Sequence, residues 1–203
     1  AQIDSVAEDL MPGAIKTGML GNAAVASSVA EAISEHRFRN YVLDPVMVAT
    51  SGDPLLERDG IDVIRTRLVP QASLLTPNLH EAAILIGEKI EDEDDLARAA
   101  EIIVNDLGAQ AVLIKGGHME SGDRVVDILY DGDLRAFRGK RIDTTSTHGT
   151  GCTLSAAITA QLANGESLHA AVRRAIDYVH NAIATAPGLG SGHGPLNHLA
   201  GDS

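Results

Sequence analysis

Four short apolar runs in this chain each stop at a residue suited to holding a ligand, and a helix-like stretch follows each of the first three. Ala14-Ile15-Lys16-Thr17-Gly18 runs into the turn Gly18-Met19-Leu20-Gly21-Asn22, where Asn22 can cap an alanine-rich helix reaching to about His36. Tyr41-Val42-Leu43-Asp44 is stopped by Pro45, and a helix is expected around Ile61–Leu68. Leu74-Leu75-Thr76-Pro77-Asn78 repeats the pattern, with Asn78 capping a helix that carries Glu81 in its first turn. Ala111-Val112-Leu113-Ile114 leads into Lys115-Gly116-Gly117-His118. Strand–helix alternation of this kind gives a single α/β domain over residues 1–203 with a mainly parallel sheet, whose ligand edge is the carboxyl end of the strands.

The remaining segments complete that domain. Val125–Tyr130 and Leu134–Lys140 flank Asp131-Gly132-Asp133 and predict an antiparallel hairpin at one sheet edge. Ile3–Leu10 reads as an amphipathic helix, and the acidic run Glu91–Asp95 as the solvated start of a helix over Leu96–Leu107. Ser167 can cap a long helix with Leu168, Ala171, Val172, Ala175, Ile176, Val179 and Ile183 on one face. Met47–Gly52 is a small-residue loop, which can fold over a ligand or simply connect.

Composition removes several function classes. The net charge of −12 argues against nucleic acid and anionic membranes as partners, because both need a concentrated basic surface. One cysteine excludes a disulfide framework within the chain, and no apolar run reaches membrane-spanning length or resembles a signal peptide, so a cytoplasmic protein is expected. The eight histidines include no compact pair of metal-ligand spacing supported by cysteine or carboxylate, which argues against zinc.

The chemistry concentrates in His148-Gly149-Thr150-Gly151-Cys152-Thr153-Leu154-Ser155, where two glycines flank Thr150 and a helix begins. Free N–H groups and the positive end of the helix dipole then converge on one point, which makes an anion hole. It is neither a Walker A loop nor a dinucleotide fingerprint, since Lys140 is not followed by Ser or Thr and no G-x-G-x-x-G follows a strand. Each candidate also has a plain reading. Cys152 suits a buried small hydrophobe, Glu81 a favourable acid at a helix start, and Lys115, one of only four lysines, a side chain leaving a strand for water.

Four stretches carry a specific resemblance: Lys16-Thr17-Gly18-Met19-Leu20-Gly21, Leu43-Asp44-Pro45-Val46-Met47-Val48, Leu75–Ala82 and Asp143–Thr153. In this order they resemble the hydroxymethylpyrimidine (phosphate) kinases of thiamine biosynthesis. Lys115–His118 and Gly190–His198 extend the match along essentially the whole chain. The resemblance implies a ribokinase-like, three-layer α/β/α fold and ATP-dependent phosphorylation, with magnesium, of a pyrimidine alcohol or its phosphate by a homodimer. It implies that Lys115 and Gly116 meet ATP phosphate and that Asn78 and Glu81 hold the magnesium–water cluster. Asp44 supports the same network, and Met19 and Val46 line the pyrimidine side. Gly149, Thr150, Gly151 and Cys152 form the anion hole, with Cys152 where related sugar kinases carry an aspartate base. Pyridoxal kinases share the fold and some motifs. Family members begin about sixty residues earlier, with a glycine-rich segment and a flap glutamine. The chain is therefore expected to be N-terminally truncated relative to the family, which leaves open a nucleotide- or pyrimidine-binding protein without turnover.

Overall fold

The computed structural model describes residues 1–49, 54–117, 124–190 and 192–201. Of the expected features, part of the Met47–Gly52 loop, His118 and Ser191 lie outside these residues. The chain opens with helix α1 (Gln2–Asp9), then alternates β1 (Ile15–Thr17), α2 (Ala23–His36), β2 (Tyr41–Leu43), α3 (Arg58–Val63), β3 (Leu74–Leu75), α4 (Leu79–Ile86), α5 (Glu93–Asn105) and β4 (Val112–Ile114). The hairpin β5 (Arg124–Tyr130) and β6 (Leu134–Lys140) follows, then α6 (Thr150–Ala163) and α7 (Leu168–Ala184).

The six strands lie in the order β1-β2-β3-β4-β5-β6. Pairing is parallel from β1 to β4 and antiparallel from β4 to β6, so the expected hairpin does form one edge of the sheet. Its turn needs Gly132, whose φ of 102° a side chain would strain.

Strand alternation builds the two cores. Tyr41, Leu43, Leu75, Val112 and Ile114 pack on one face against Ala26, Ala30 and Ile33 of α2, Ala82 and Leu85 of α4, and Leu96 and Ile103 of α5. Val42, Leu74, Leu113 and Leu129 pack on the other against Leu154 and Ile158 of α6 and Val172 and Val179 of α7. Both faces are covered, which explains why the central strands are apolar at every position rather than alternately. With five aromatic residues in the chain, alanine lets α2 approach the sheet closely, and Ala26 and Ala30 are fully buried there.

Caps follow the expected residues. The Asn22 side chain accepts from Val25 N–H at 2.9 Å, and Ser167 accepts more loosely from Ala170 N–H at 3.4 Å. Asp92 caps α5, so Glu93, Asp94 and Asp95 stand inside its first turn and complement its dipole. The helix expected over Ile61–Leu68 is composite instead. α3 ends at Val63, a π-helical turn spans Ile64–Leu68 and a 3-10 turn spans Val69–Gln71. Pro70 has no N–H to continue an α-helical ladder, and the Thr66 hydroxyl donates back to the Asp62 carbonyl at 2.6 Å.

Candidate active site

Because β1 to β4 run parallel, their carboxyl ends open on one edge of the sheet. Period-two alternation puts Lys16, Asp44, Thr76 and Lys115 on the same face as Val42, Leu74 and Leu113, the face that α6 covers. Four strands thus deliver a lysine, an aspartate, a threonine and a second lysine to one place beneath a helix N-terminus.

Asp44 is the centre of this cluster. It is buried, and an isolated buried carboxylate would be strongly unfavourable. Its partners explain how it is kept. Oδ1 accepts from Lys115 Nζ at 3.1 Å and, at the longer 3.5 Å, from Thr76 Oγ1. Oδ2 accepts from Ser155 Oγ on α6 at 3.0 Å and lies 3.6 Å from Lys16 Nζ. One carboxylate therefore carries two ammonium groups.

Asn78 and Glu81 form a reciprocal cap at the start of α4. The Asn78 side chain accepts from Glu81 N–H at 2.9 Å, while the Glu81 carboxylate accepts from Asn78 N–H at 2.8 Å. Glu81 is buried. That burial pushes its carboxyl above the ordinary range, opposed by the Lys115 charge and the Asn78 and Met47 backbone N–H groups and reinforced by Asp44. Lys115 N–H donates to the Pro77 carbonyl at 2.9 Å, which extends the β3–β4 pairing past the strands and sets Lys115 beside Asn78.

The α6 N-terminus has the expected glycine entry, with Gly149 at φ 82° and no side-chain cap on the first turn. Thr150 is partly engaged, since both its N–H and its hydroxyl donate to the Thr147 carbonyl at 3.3 and 2.8 Å. The N–H groups of Gly151 and Cys152 are the first-turn donors that an anion would take. A Cβ on Gly151 would stand 3.1 Å from Lys115 Nζ, so the missing side chain is what lets the ammonium lie against the helix end. An ammonium at the positive pole of a helix is unfavourable unless an anion joins them. That juxtaposition fits a phosphate group. Cys152 is exposed, which removes the reading of it as a buried hydrophobe.

Gly116 is set by close packing. A Cβ there would fall 1.9 Å from the Val126 carbonyl oxygen, so only glycine fits. Its N–H donates to Asp127 Oδ1 at 2.9 Å. Burial pushes the Asp127 carboxyl up to about 6, against the opposing pull of that N–H and of Lys115. Met19, exposed, and Val46, half-buried, stand on the loops leaving the neighbouring strands β1 and β2. The tail returns to the anion hole, where His148 pairs with Pro195 and His148 N–H donates to the Gly194 carbonyl at 3.3 Å.

The structure thus joins Asp44, Asn78, Glu81, Lys115, Gly116 and the α6 N-terminus at one strand edge, with Met19 and Val46 on its β1–β2 side. Sequence reasoning gave no role to Lys16, Thr76, Ser155 or Asp127. Alternation counted from Asp44 would have found the first two; Ser155 and Asp127 arrive through contacts distant in sequence. Among the described residues no group of three or more histidine, cysteine, aspartate or glutamate side chains is arranged to enclose a metal. A cation here would be held by few protein ligands, with water and phosphate supplying the rest, the usual manner for magnesium.

The sequence profile of the phosphomethylpyrimidine kinase family matches residues 1–197. The hydroxymethylpyrimidine/phosphomethylpyrimidine kinase of Bacillus subtilis is 46% identical over 200 residues, covering 98% of this chain and 73% of that protein. Among solved structures, an ADP complex of Bacillus subtilis pyridoxal kinase superposes with a TM-score of 0.89 at 36% identity, covering 98% of this chain and 74% of that one. The phosphomethylpyrimidine kinase of Clostridium difficile gives 0.80 at 35% identity, covering 90% and 74%. With its ribokinase-like fold, and by the match along nearly its whole length, the chain belongs to the phosphomethylpyrimidine kinase family, and it is a kinase.

Proposed function

We propose that this kinase transfers the terminal phosphoryl group of ATP to 4-amino-5-hydroxymethyl-2-methylpyrimidine, to its monophosphate, or to both in turn, giving the pyrimidine diphosphate for thiamine synthesis. The observation that carries the reading is the Lys115 ammonium held by Asp44 against the uncapped first turn of α6. Phosphoryl transfer asks a protein chiefly for positioning and for positive charge around the phosphoryl oxygens, and this arrangement offers both.

Lys115 and the amides of Gly151 and Cys152 bind the ATP phosphates in this reading, with Gly149 and Thr150 shaping the entry to the helix; Gly116, expected to meet phosphate, has its N–H held by Asp127 and instead sets the close packing beside Lys115. Glu81 and Asn78 would hold magnesium, and the ion would supply positive charge to offset that of the donor phosphates. Met19 and Val46 contact the pyrimidine. The acceptor oxygen bonds to the terminal phosphorus as the bond from that phosphorus to the bridging oxygen breaks, and ADP leaves. When the acceptor is the alcohol, its proton passes to the exposed Cys152 side chain in the first turn of α6. When the acceptor is the monophosphate, the attacking oxygen is already ionised and no base is required. A homodimer acting in the cytoplasm completes the proposal; no helix among the described residues is long and apolar enough to cross a membrane.

A second reading, pyridoxal phosphorylation, draws on the superposition with a pyridoxal kinase. Labelled ATP offered with the pyrimidine alcohol, its monophosphate and pyridoxal separates the two. The proposal expects kcat/KM for a pyrimidine acceptor to exceed that for pyridoxal by at least about tenfold, roughly 1.4 kcal/mol. Preference for pyridoxal would replace it with the second reading, and nucleotide binding without any turnover would leave a binding protein.

A further inference from the structure

We propose that Lys16 binds the acceptor's own phosphate when the acceptor is already a phosphomonoester, and so sets the preference between alcohol and monophosphate. The inference rests on the kinase reading above and deepens it. Its ground is that two ammonium groups share Asp44 through different oxygens: Lys115 on Oδ1 at 3.1 Å and Lys16 on Oδ2 at 3.6 Å.

The two lysines serve different neighbourhoods. Lys115 comes from β4 and lies against Gly151 at the α6 N-terminus, the position of the donor phosphates. Lys16 comes from β1, at the far edge of the parallel strands, and its ammonium lies 3.4 Å from where a Cβ on Gly18 would stand. It therefore sits beside the turn that carries Met19. In-line transfer keeps donor and acceptor oxygens on opposite sides of the moving phosphorus. With the polyphosphate anchored at Lys115 and α6, the acceptor approaches from the β1–β2 side, where Lys16 is.

Charge explains why a second lysine belongs there. An alcohol acceptor brings no charge, and Lys115 already pairs with Asp44. A phosphomonoester brings one to two negative charges toward a polyphosphate. Its oxygen bonds to the terminal phosphorus of ATP, the bond to the bridging oxygen breaks, ADP departs, and a phosphoanhydride is left. A cation on the acceptor side offsets that repulsion before the new bond forms. The Lys16 side chain is 21% exposed, and its looser pairing with Asp44 leaves the ammonium able to turn toward an incoming phosphate.

Two measurements on the full-length protein test this. The first is kcat/KM for the pyrimidine alcohol and for its monophosphate at saturating ATP. The second is calorimetric binding of the monophosphate with a non-hydrolysable ATP analogue present. Lys16→Met is expected to lower efficiency with the monophosphate about 10- to 100-fold more than with the alcohol, the value of one charge-assisted contact, with the difference residing in KM. Calorimetric affinity for the monophosphate should fall by a similar factor, and Lys16→Arg should recover most of both losses. Should Lys16→Met melt well below the wild type, Lys16→Gln, which keeps a polar group near Asp44, takes its place. Equal losses with the two acceptors would make Lys16 a counter-charge for Asp44 and overturn the proposal, as would unchanged calorimetric affinity. Wild-type protein that uses the alcohol but does not bind the monophosphate overturns the proposal and leaves the kinase reading standing. Wild-type protein that phosphorylates pyridoxal alone removes both.

Discussion

A lone cysteine is usually a small core residue, and the position of Cys152 shows why that generalisation fails here. It stands in the first turn of α6, exposed, where the backbone N–H matters whatever the side chain is. Backbone and thiol can therefore be tested apart. Cys152→Ala keeps the N–H and opens no cavity, so thermal stability should change by no more than about 0.5 kcal/mol. If the thiolate accepts the alcohol's proton, turnover of the alcohol should fall by about 10²–10⁴-fold, while phosphorylation of the monophosphate falls far less. Rates for both acceptors with the same variant decide it: equal losses would give the thiol a positioning role. Lys16 shows the opposite limit of residue-by-residue reading. Its type and its place on a strand were visible, but its meaning lies in sharing Asp44 with a lysine almost a hundred residues away.

At the scale of elements, local signals located almost everything they could locate. Prolines follow β2 and β3 as expected, Asn22 and Asn78 cap their helices, and the hairpin around Gly132 has its expected bounds at β6 and nearly so at β5. The composite helix before β3 escaped because periodicity reports which face is apolar, not whether the turn is α, π or 3-10. The α4 cap shows a limit of another kind, since one residue satisfies a structural and a chemical reading together. Glu81 closes the capping box and also turns a buried carboxylate toward the cluster. Glu81→Gln preserves the acceptor for Asn78 N–H and removes a charge that burial disfavours, so the melting temperature near pH 7.5 should hold or rise. If Glu81 also holds magnesium, the concentration needed for half-maximal rate should rise by about 10- to 100-fold. A magnesium titration paired with a thermal melt separates the roles; an unchanged titration leaves Glu81 as a cap alone.

At the scale of the whole molecule, the α/β class and sheet direction were legible because each strand–helix unit announces itself locally, whereas the site is assembled by pairings between units. Asp127 depends on such a pairing. The antiparallel β4–β5 ladder brings it to Gly116 N–H, and a carboxylate in a mostly apolar strand carries no local sign of that partner. Its environment has a consequence for global stability in a chain whose net charge is already −12. Unfolded, the carboxyl ionises near its ordinary value of 3.8; folded, burial holds it at about 6. Between those values the folded chain keeps a proton that the unfolded chain has released, so stability falls as pH rises through this window and the penalty is complete above it. The penalty is on the order of 3 kcal/mol at neutral pH. Asp127→Asn stays neutral at every pH and keeps an oxygen to accept from Gly116 N–H. At pH 8 it should melt above the wild type by about 6–12 °C, the equivalent of that energy for a domain of this size. The gap should shrink as pH falls through 6 and close near 4, where both side chains are uncharged. Thermal melts of the two proteins from pH 4 to 8 check it. A gap that does not vary with pH would assign the change to packing, and a less stable variant at pH 8 would show that the carboxylate's attraction to Lys115 and Gly116 N–H outweighs the unfavourable burial of its charge.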